Sequence, residues 1–448
     1  MTLRWKTAIG SLAAALMISA PVRGGEEAAP ANGEGCVACE TENGCEEKEE
    51  GPSCRCLQSA IIGDCLAERT GLYLYGWTQI GANWNDGGST INFPAGAFAF
   101  EQGLNIHQFY LVQGRSVDAD KMFDAGYRVD LLYGLDARTT QAFGLEKNNE
   151  GVPLWIKPGN AVQRFDPYSG TLLGQDANQL AMPQLYVELS SAIGPGVNVK
   201  VGHFYTIIGY EVVTAPDNFF YTHAYTMNYG EPFTHTGVLA SSSPTDWLTV
   251  QAGIVRGWDN WEDNNNSISG LWGFSINLGE RVSLAYAAIL GPEHNETGFV
   301  PVSEPRQQRY MQSLVAQIQL TDKLKNVWQS DYGVQDNVFD DGTSATWYGL
   351  MTYLFYNIND NLAVGTRLEW FDDNDGFRVV GVPGSYYEAT FGLNWSPCDC
   401  MIIRPEIRWD WFKAKDGGSS AVFGANPDGT LGAADSIFIG ACDIIFSY

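Results

Sequence analysis

The stretch from Tyr386 to Phe412 restricts this chain to a small set of folds. Its first arm places Ala389, Phe391, Leu393 and Trp395 on one parity and Glu388, Thr390, Gly392 and Asn394 on the other. A short turn, Pro397-Cys398-Asp399-Cys400, follows. The second arm sets Ile403, Pro405, Ile407, Trp409 and Trp411 against Arg404, Glu406, Arg408 and Asp410. A period of two over both arms specifies β-strands with one apolar and one polar face. A soluble sandwich turns the apolar face inward. A transmembrane barrel turns it to lipid and keeps the polar face for a wet lumen. One hairpin does not separate these folds; the number and spacing of its copies do.

From Gly71 on, about sixteen strand-like runs recur: 71–84, 104–115, 125–135, 184–192, 196–206, 233–241, 247–257, 270–279, 282–290, 309–320, 325–335, 345–357, 361–372, 386–396, 400–412 and 436–448. Their connections alternate in length. Short ones include 193–196, 241–246, 279–281, 321–323 and 357–360. Long ones are 85–103, 136–183, 207–232, 258–269, 291–308, 336–344, 373–385 and 413–435. A sandwich has no reason to gather its long loops at one end. An outer-membrane barrel does, with short periplasmic turns, long outer loops and an even strand count. The expected fold is therefore all-β, a transmembrane antiparallel β-barrel of about sixteen strands.

Mean hydropathy is only −0.15, but barrel strands escape such averages because every second residue is polar. A formal net charge of −26 argues against nucleic acid as a partner, and favours cations or neutral solutes inside the barrel. The sequence has no GxxxxGK[ST] phosphate loop, no HExxH zinc motif and no GxSxG elbow. None of its five histidines has a Ser two residues on. No enzymatic activity and no cofactor are expected.

Residues 1–25 read as a signal peptide, with Arg4 and Lys6 ahead of the apolar run Ile9 to Ala20. Residues 26–70 form an acidic, Cys-rich segment. Nine Glu and one Lys between Glu26 and Glu50 give a net of −8 (1 − 9). Cys36, Cys39, Cys45, Cys54, Cys56 and Cys65 lie in this segment. In an exported protein disulfides are favoured there over zinc, with the pairing left open. Cys398 and Cys400, in an expected periplasmic turn, are further disulfide candidates and could tether the segment to residues 71–448, the barrel. Cys442 has lipid-facing parity. The segment is expected in the periplasm as a stapled spacer, with a cell-wall contact as its alternative role.

The chain resembles the OmpL-like β-barrel porins of the bacterial outer membrane. The resemblance rests on Pro216-Asp-Asn-Phe-Phe-Tyr-Thr-His-Ala-Tyr-Thr-Met-Asn-Tyr-Gly-Glu-Pro-Phe-Thr-His-Thr-Gly237, on Gly202-His-Phe-Tyr205, and on the Trp-rich hairpins near the C-terminus. It spans roughly 71–448 and implies a pore without catalytic residues.

By analogy with general porins, the third long loop, 207–232, is expected to fold into the lumen as a constriction. Glu211, Asp217, His223 and Glu231 are its candidate charged residues. Arg128, Arg367, Arg404 and Arg408, with Glu406 and Asp410, are expected to line the lumen opposite. Acidic clusters at 259–266, 340–341 and 372–375 lack a calcium-loop spacing and read as polar turns. The expected function is passive diffusion of small hydrophilic solutes or ions, leaning to cations, in an outer-membrane barrel contacting lipid. A homotrimer is expected by analogy, with 136–183 as its latch. The alternative is a non-conducting structural barrel, or one binding carbohydrate or cell wall through Trp155, Trp258 and Trp261.

Overall fold

The computed structural model describes residues 56–87, 91–95, 98, 101–148, 154–155, 163–166, 171–174, 178–293, 307–339, 341–425 and 431–448. The expected signal peptide and five of the six early cysteine side chains lie outside them. Two short helices, α1 (Cys56–Ile61) and α2 (Asp64–Thr70), precede the sheet. Helix α2 ends at Gly71, which takes the left-handed conformation (φ 73°) open to glycine, and its N–H closes onto Ala67 O.

Sixteen antiparallel strands then close into one barrel. They are β1 (Leu72–Asn85), β2 (Gly103–Arg115), β3 (Asp124–Gly134), β4 (Gln179–Ser191), β5 (Val197–Tyr205), β6 (Thr234–Thr245), β7 (Leu248–Val255) and β8 (Ser269–Leu278). The second half is β9 (Val282–Glu293), β10 (Gln307–Gln319), β11 (Leu324–Gln335), β12 (Ala345–Asn359), β13 (Leu362–Asp373), β14 (Gly384–Cys398), β15 (Met401–Ala414) and β16 (Ser436–Ser447). Every strand pairs with its sequence neighbours, and β16 closes on β1 through Trp77↔Ser447 to Asn85↔Ile439. Closure leaves no unpaired edge, which a sheet in lipid requires.

The two faces separate as the alternation predicts. Phe391, Trp395, Ile407 and Trp409 point outward and are about half exposed, at 49%, 46%, 50% and 53%. Their neighbours Glu388, Arg404, Glu406, Arg408 and Asp410 point inward and are buried. Large apolar side chains exposed this way would be a liability in water; against acyl chains they are the seat of the fold.

One expected strand begins late. The run 184–192 is in fact part of β4, which starts at Gln179. Its pairing with β3 slips between Asp130 and Leu132, and Pro183 interrupts the alternation there, so the first residues do not read as strand. The second long loop is shorter to match, and a third helix, α3 (Ala137–Thr140), opens it.

Candidate functional site

The third long loop, 206–233, turns into the barrel and is buried along almost its whole length. Thr206, Tyr210, Val212, Pro216, Asp217 and Phe233 are the half-buried exceptions. The loop includes a turn of π-helix, Thr226–Gly230, which packs on β12 and β11.

Two kinds of feature on the wall receive it. The first is a set of inward-facing glycines. A β-carbon built on Gly365 would lie 2.6 Å from Phe219, one on Gly392 3.0 Å from Phe220, and one on Gly81 2.6 Å from Tyr221. On Gly349 it would lie 2.5 Å from Thr226 Oγ1, and on Gly273 3.2 Å from Ile207. Each glycine is a hole for one loop side chain, since no larger residue leaves that space.

The second feature is charge. Arg367 on β13 donates from Nη1 to Glu211 Oε1 at 2.6 Å and to the Thr222 carbonyl at 2.7 Å. Its Nε reaches Glu388 Oε2 at 2.8 Å. Arg404 donates to the carbonyls of Ala215 and Asn218 at 2.8 and 2.6 Å while Asp443 holds its other edge. Arg408 grips Asp410 and donates to the His223 carbonyl at 2.6 Å. Carboxylates on the wall accept from the loop backbone. Glu406 takes the Tyr221 N–H and the Thr222 hydroxyl, and Glu369 takes the N–H groups of Tyr225 and Thr226. Arginine forks fit such tasks because five donors sit on one rigid plane.

The candidate loop residues fare differently. Glu211 and His223 are brought together, Nδ1 to Oε2 at 3.2 Å, and Glu211 also pairs with Arg367. Burial would raise the Glu211 carboxyl, but Arg367 and His223 outweigh it and hold it well below the usual carboxylate range. Asp217 stays half-buried, its N–H donating to Thr214 O. Glu231 is buried at the loop's end beside Asp331 on β11, and among the described residues it has no arginine partner. Arg128 does not reach across the lumen: it pairs with Asp130 on its own strand at 2.8 Å. Six residues that sequence reasoning did not single out complete the site: Glu369, Glu388, Asp443, Gln329, Asp331 and Tyr353. All share the inward parity of the arginines, and that parity was their one signal.

Other long loops close over this plug. Tyr229 donates to the Pro94 carbonyl at 2.7 Å, Arg378 to the Tyr229 carbonyl at 2.6 Å, and Trp347 to the Gly230 carbonyl at 3.1 Å. Phe93, Phe98, Trp258, Phe377, Val379 and Phe423 are all buried there. Two acidic residues beside these loops accept hydrogen bonds from them. Asp259 Oδ1 accepts from the N–H groups of Phe233 and Thr234, and Asp372 accepts from Lys415. Trp258 is 1% exposed and Trp261 stacks on His203 at 4.1 Å, so neither is presented to a carbohydrate.

At the short-turn end the wall stays accessible. Ser241, Ser243, Thr249, Gln251, Ser275, Asn277 and Ser283 face inward and are half-buried, forming an uncharged polar surface across β6 to β9. Cys398 and Cys442 are free thiols.

Solved structures of outer-membrane proteins share this fold. An anion-selective porin from Comamonas acidovorans aligns with a TM-score of 0.53 at 11% identity, over 85% of this chain and 100% of that one. The in-vitro folded OmpT of Vibrio cholerae, in its trimer form, aligns at 0.51 and 8%, over 84% and 99%. OprB of Pseudomonas putida, in its high-pH structure, aligns at 0.51 and 12%, over 87% and 97%. No curated protein matches the chain. The family model described as "Putative beta-barrel porin-2, OmpL-like" matches residues 71–447, the whole barrel. The chain belongs to this family of OmpL-like β-barrel porins.

Proposed function

We propose that this protein is an outer-membrane porin that passes small hydrophilic solutes or ions by passive diffusion, leans to cations, and rests closed. The observation that carries the reading is the chemistry of the lumen wall. Arg367, Glu388, Arg404, Glu406, Arg408, Asp410 and Asp443 all point inward, where a barrel built only for strength would keep apolar side chains. Such a charged wall is useful when water and ions reach it. The net charge of −26 supports the cation preference, although the Comamonas porin of the same fold is anion-selective. In this reading the short turns, helices α1 and α2 and segment 26–70 face the periplasm. Cys400, in the turn between β14 and β15, is the residue we assign to a disulfide with segment 26–70, because Cys398 beside it is a free thiol. Such a bond would tether the segment covalently to the barrel.

The near-complete burial of loop 206–233 favours a second reading, a structural barrel that never conducts. Planar-bilayer recording of detergent-refolded protein separates the two when wild type is compared with Gly365→Val, which removes the hole for Phe219. Discrete steps in either protein support the porin. A folded, heat-modifiable barrel silent in both forms supports the structural reading.

A further inference from the structure

The point where loop 206–233 rejoins the wall carries a cluster of two carboxyl groups joined by one amide. Gln329 Nε2 donates both to Glu231 Oε1 and, at 3.0 Å, to Asp331 Oδ1, so one amide holds two carboxyl groups. Its own oxygen accepts the Tyr210 N–H at 2.9 Å. Ser313 on β10 lies directly across the sheet from Asp331. Glu231, Asp331 and Ser313 are 5%, 4% and 2% exposed. Glu231 lies against Gly209, where a β-carbon would fall 2.0 Å from its Oε2. Among the described residues neither carboxyl has a basic partner within 4.0 Å. Asp331 Oδ2 and Ser313 Oγ are buried without a hydrogen-bond partner.

Two adjoining buried carboxylates without a cation cannot both stay ionised. One proton between them removes the repulsion. We propose that Glu231 and Asp331 share a single proton that latches the inward loop to β11, making closure of the lumen depend on pH. The groups facing the pair support this. From the loop come Tyr210 and Glu211, from β11 Gln329, and from β10 Ser313. Glu211 adds a second negative charge beside Glu231, and its own cation, Arg367, is shared with Glu388. Burial, and then Asp331, push the Glu231 carboxyl well above the carboxylate range.

The sign follows from proton counting. The latched loop holds a proton that the withdrawn loop, with its carboxyls in water, releases above about pH 4. Latching is complete in acid and weakens as pH rises, by up to about tenfold per unit.

The inference rests on the reading of the loop as the closing element, so its test needs a readout besides current. The full chain, refolded in detergent, is followed by hydrogen exchange of peptides covering 222–233 between about pH 6 and about pH 9. Wild type is compared at each pH with Glu231→Gln, whose amide donates to Asp331 without a proton. Asp331→Asn is a second lock, in case the first variant folds poorly. Protection in wild type should fall by at least roughly tenfold relative to both variants across this range. A wild-type-to-variant ratio that stays constant would overturn the latch. Bilayer current is recorded in parallel. Loop release with no change in current keeps the latch and sinks the closing role assigned to the loop.

Discussion

Arg367 and Glu211 meet at 2.6 Å with both side chains buried, and the same guanidinium holds Glu388 on the next strand. One cation thus joins the inward loop to two strands of the wall. Buried pairs of this kind contribute little by their presence, but losing one partner leaves an uncompensated charge.

Replacing Arg367 with Met should therefore destabilise the docked loop by about 3–5 kcal/mol. Glu211→Gln should cost less, because its oxygen still accepts from Arg367. A lower temperature for the heat-dependent gel shift and more frequent channel openings would report both. Because Glu211 is held below the ordinary carboxylate range, its stabilisation is present above that range and lost only as pH falls through the depressed value. Between about pH 5 and about pH 9 this contact should be insensitive to pH.

The glycine holes can be filled without altering charge. Gly365→Val should displace Phe219 and weaken docking by about 1–3 kcal/mol, the usual cost of overpacking. Gly440→Ala, at an outward position with nothing within 4 Å, is the control and should behave as wild type. Equal gel-shift temperatures for the two variants would show that the glycines do not seat the loop.

Most of the barrel was legible in the sequence because lipid and lumen impose a strict period of two. Trp409 and Arg408 could hardly share a face. The plug was legible only in part. The position of loop 207–232 in chain order suggested that it turns inward, and Glu211 and Arg367 stood among the candidates on its two sides without being paired. What receives the loop was hidden, because Gly365 and Gly392 read in sequence as weak points of a strand. Their purpose appears only once Phe219 and Phe220 lie against them. The partners of the arginines were hidden for another reason. Arg404 meets Asp443 through the pairing of β15 with β16, and Arg128 meets Asp130 along its own strand. Parity gives the face of a residue and leaves its neighbour open.

Glu146, in the second long loop, gives a separate pH effect. Burial raises its carboxyl to about 7, although the N–H groups of Ala142 and Met182 bond to it. The folded loop thus holds a proton that the detached loop releases. Its attachment should be strongest in acid and weaken as pH rises from the ordinary carboxylate value toward 7, by up to about tenfold per unit. Hydrogen exchange of 137–147 should show this between about pH 5 and about pH 7. Glu146→Ala should remove the dependence.

The proposed tether through Cys400 predicts a mapping result. Non-reducing peptide maps of the exported protein should recover Cys400 joined to a peptide from residues 26–70, with Cys398 alkylated as a free thiol. Recovery of Cys400 joined to Cys398 would remove the tether.

Ion selectivity should depend on Asp217 more than on Glu231. Asp217 is half-buried on the loop near Tyr205, so in the proposed pore it is the more accessible of the two carboxylates. Glu231 is buried and shares a proton in the latched state, so it presents little charge. A unit charge about 7 Å from an ion in water is worth about 0.6 kcal/mol, close to thermal energy. Because the charge attracts the cation and repels the anion by that amount each, Asp217→Asn should lower the cation-to-anion permeability ratio by up to about sevenfold at neutral pH. Glu231→Gln should leave it nearly unchanged. Reversal potentials under a salt gradient decide the matter. A larger shift from Glu231→Gln would place the ionised carboxylate in the ion path and contradict both the neutral pair and the constriction role given to Asp217.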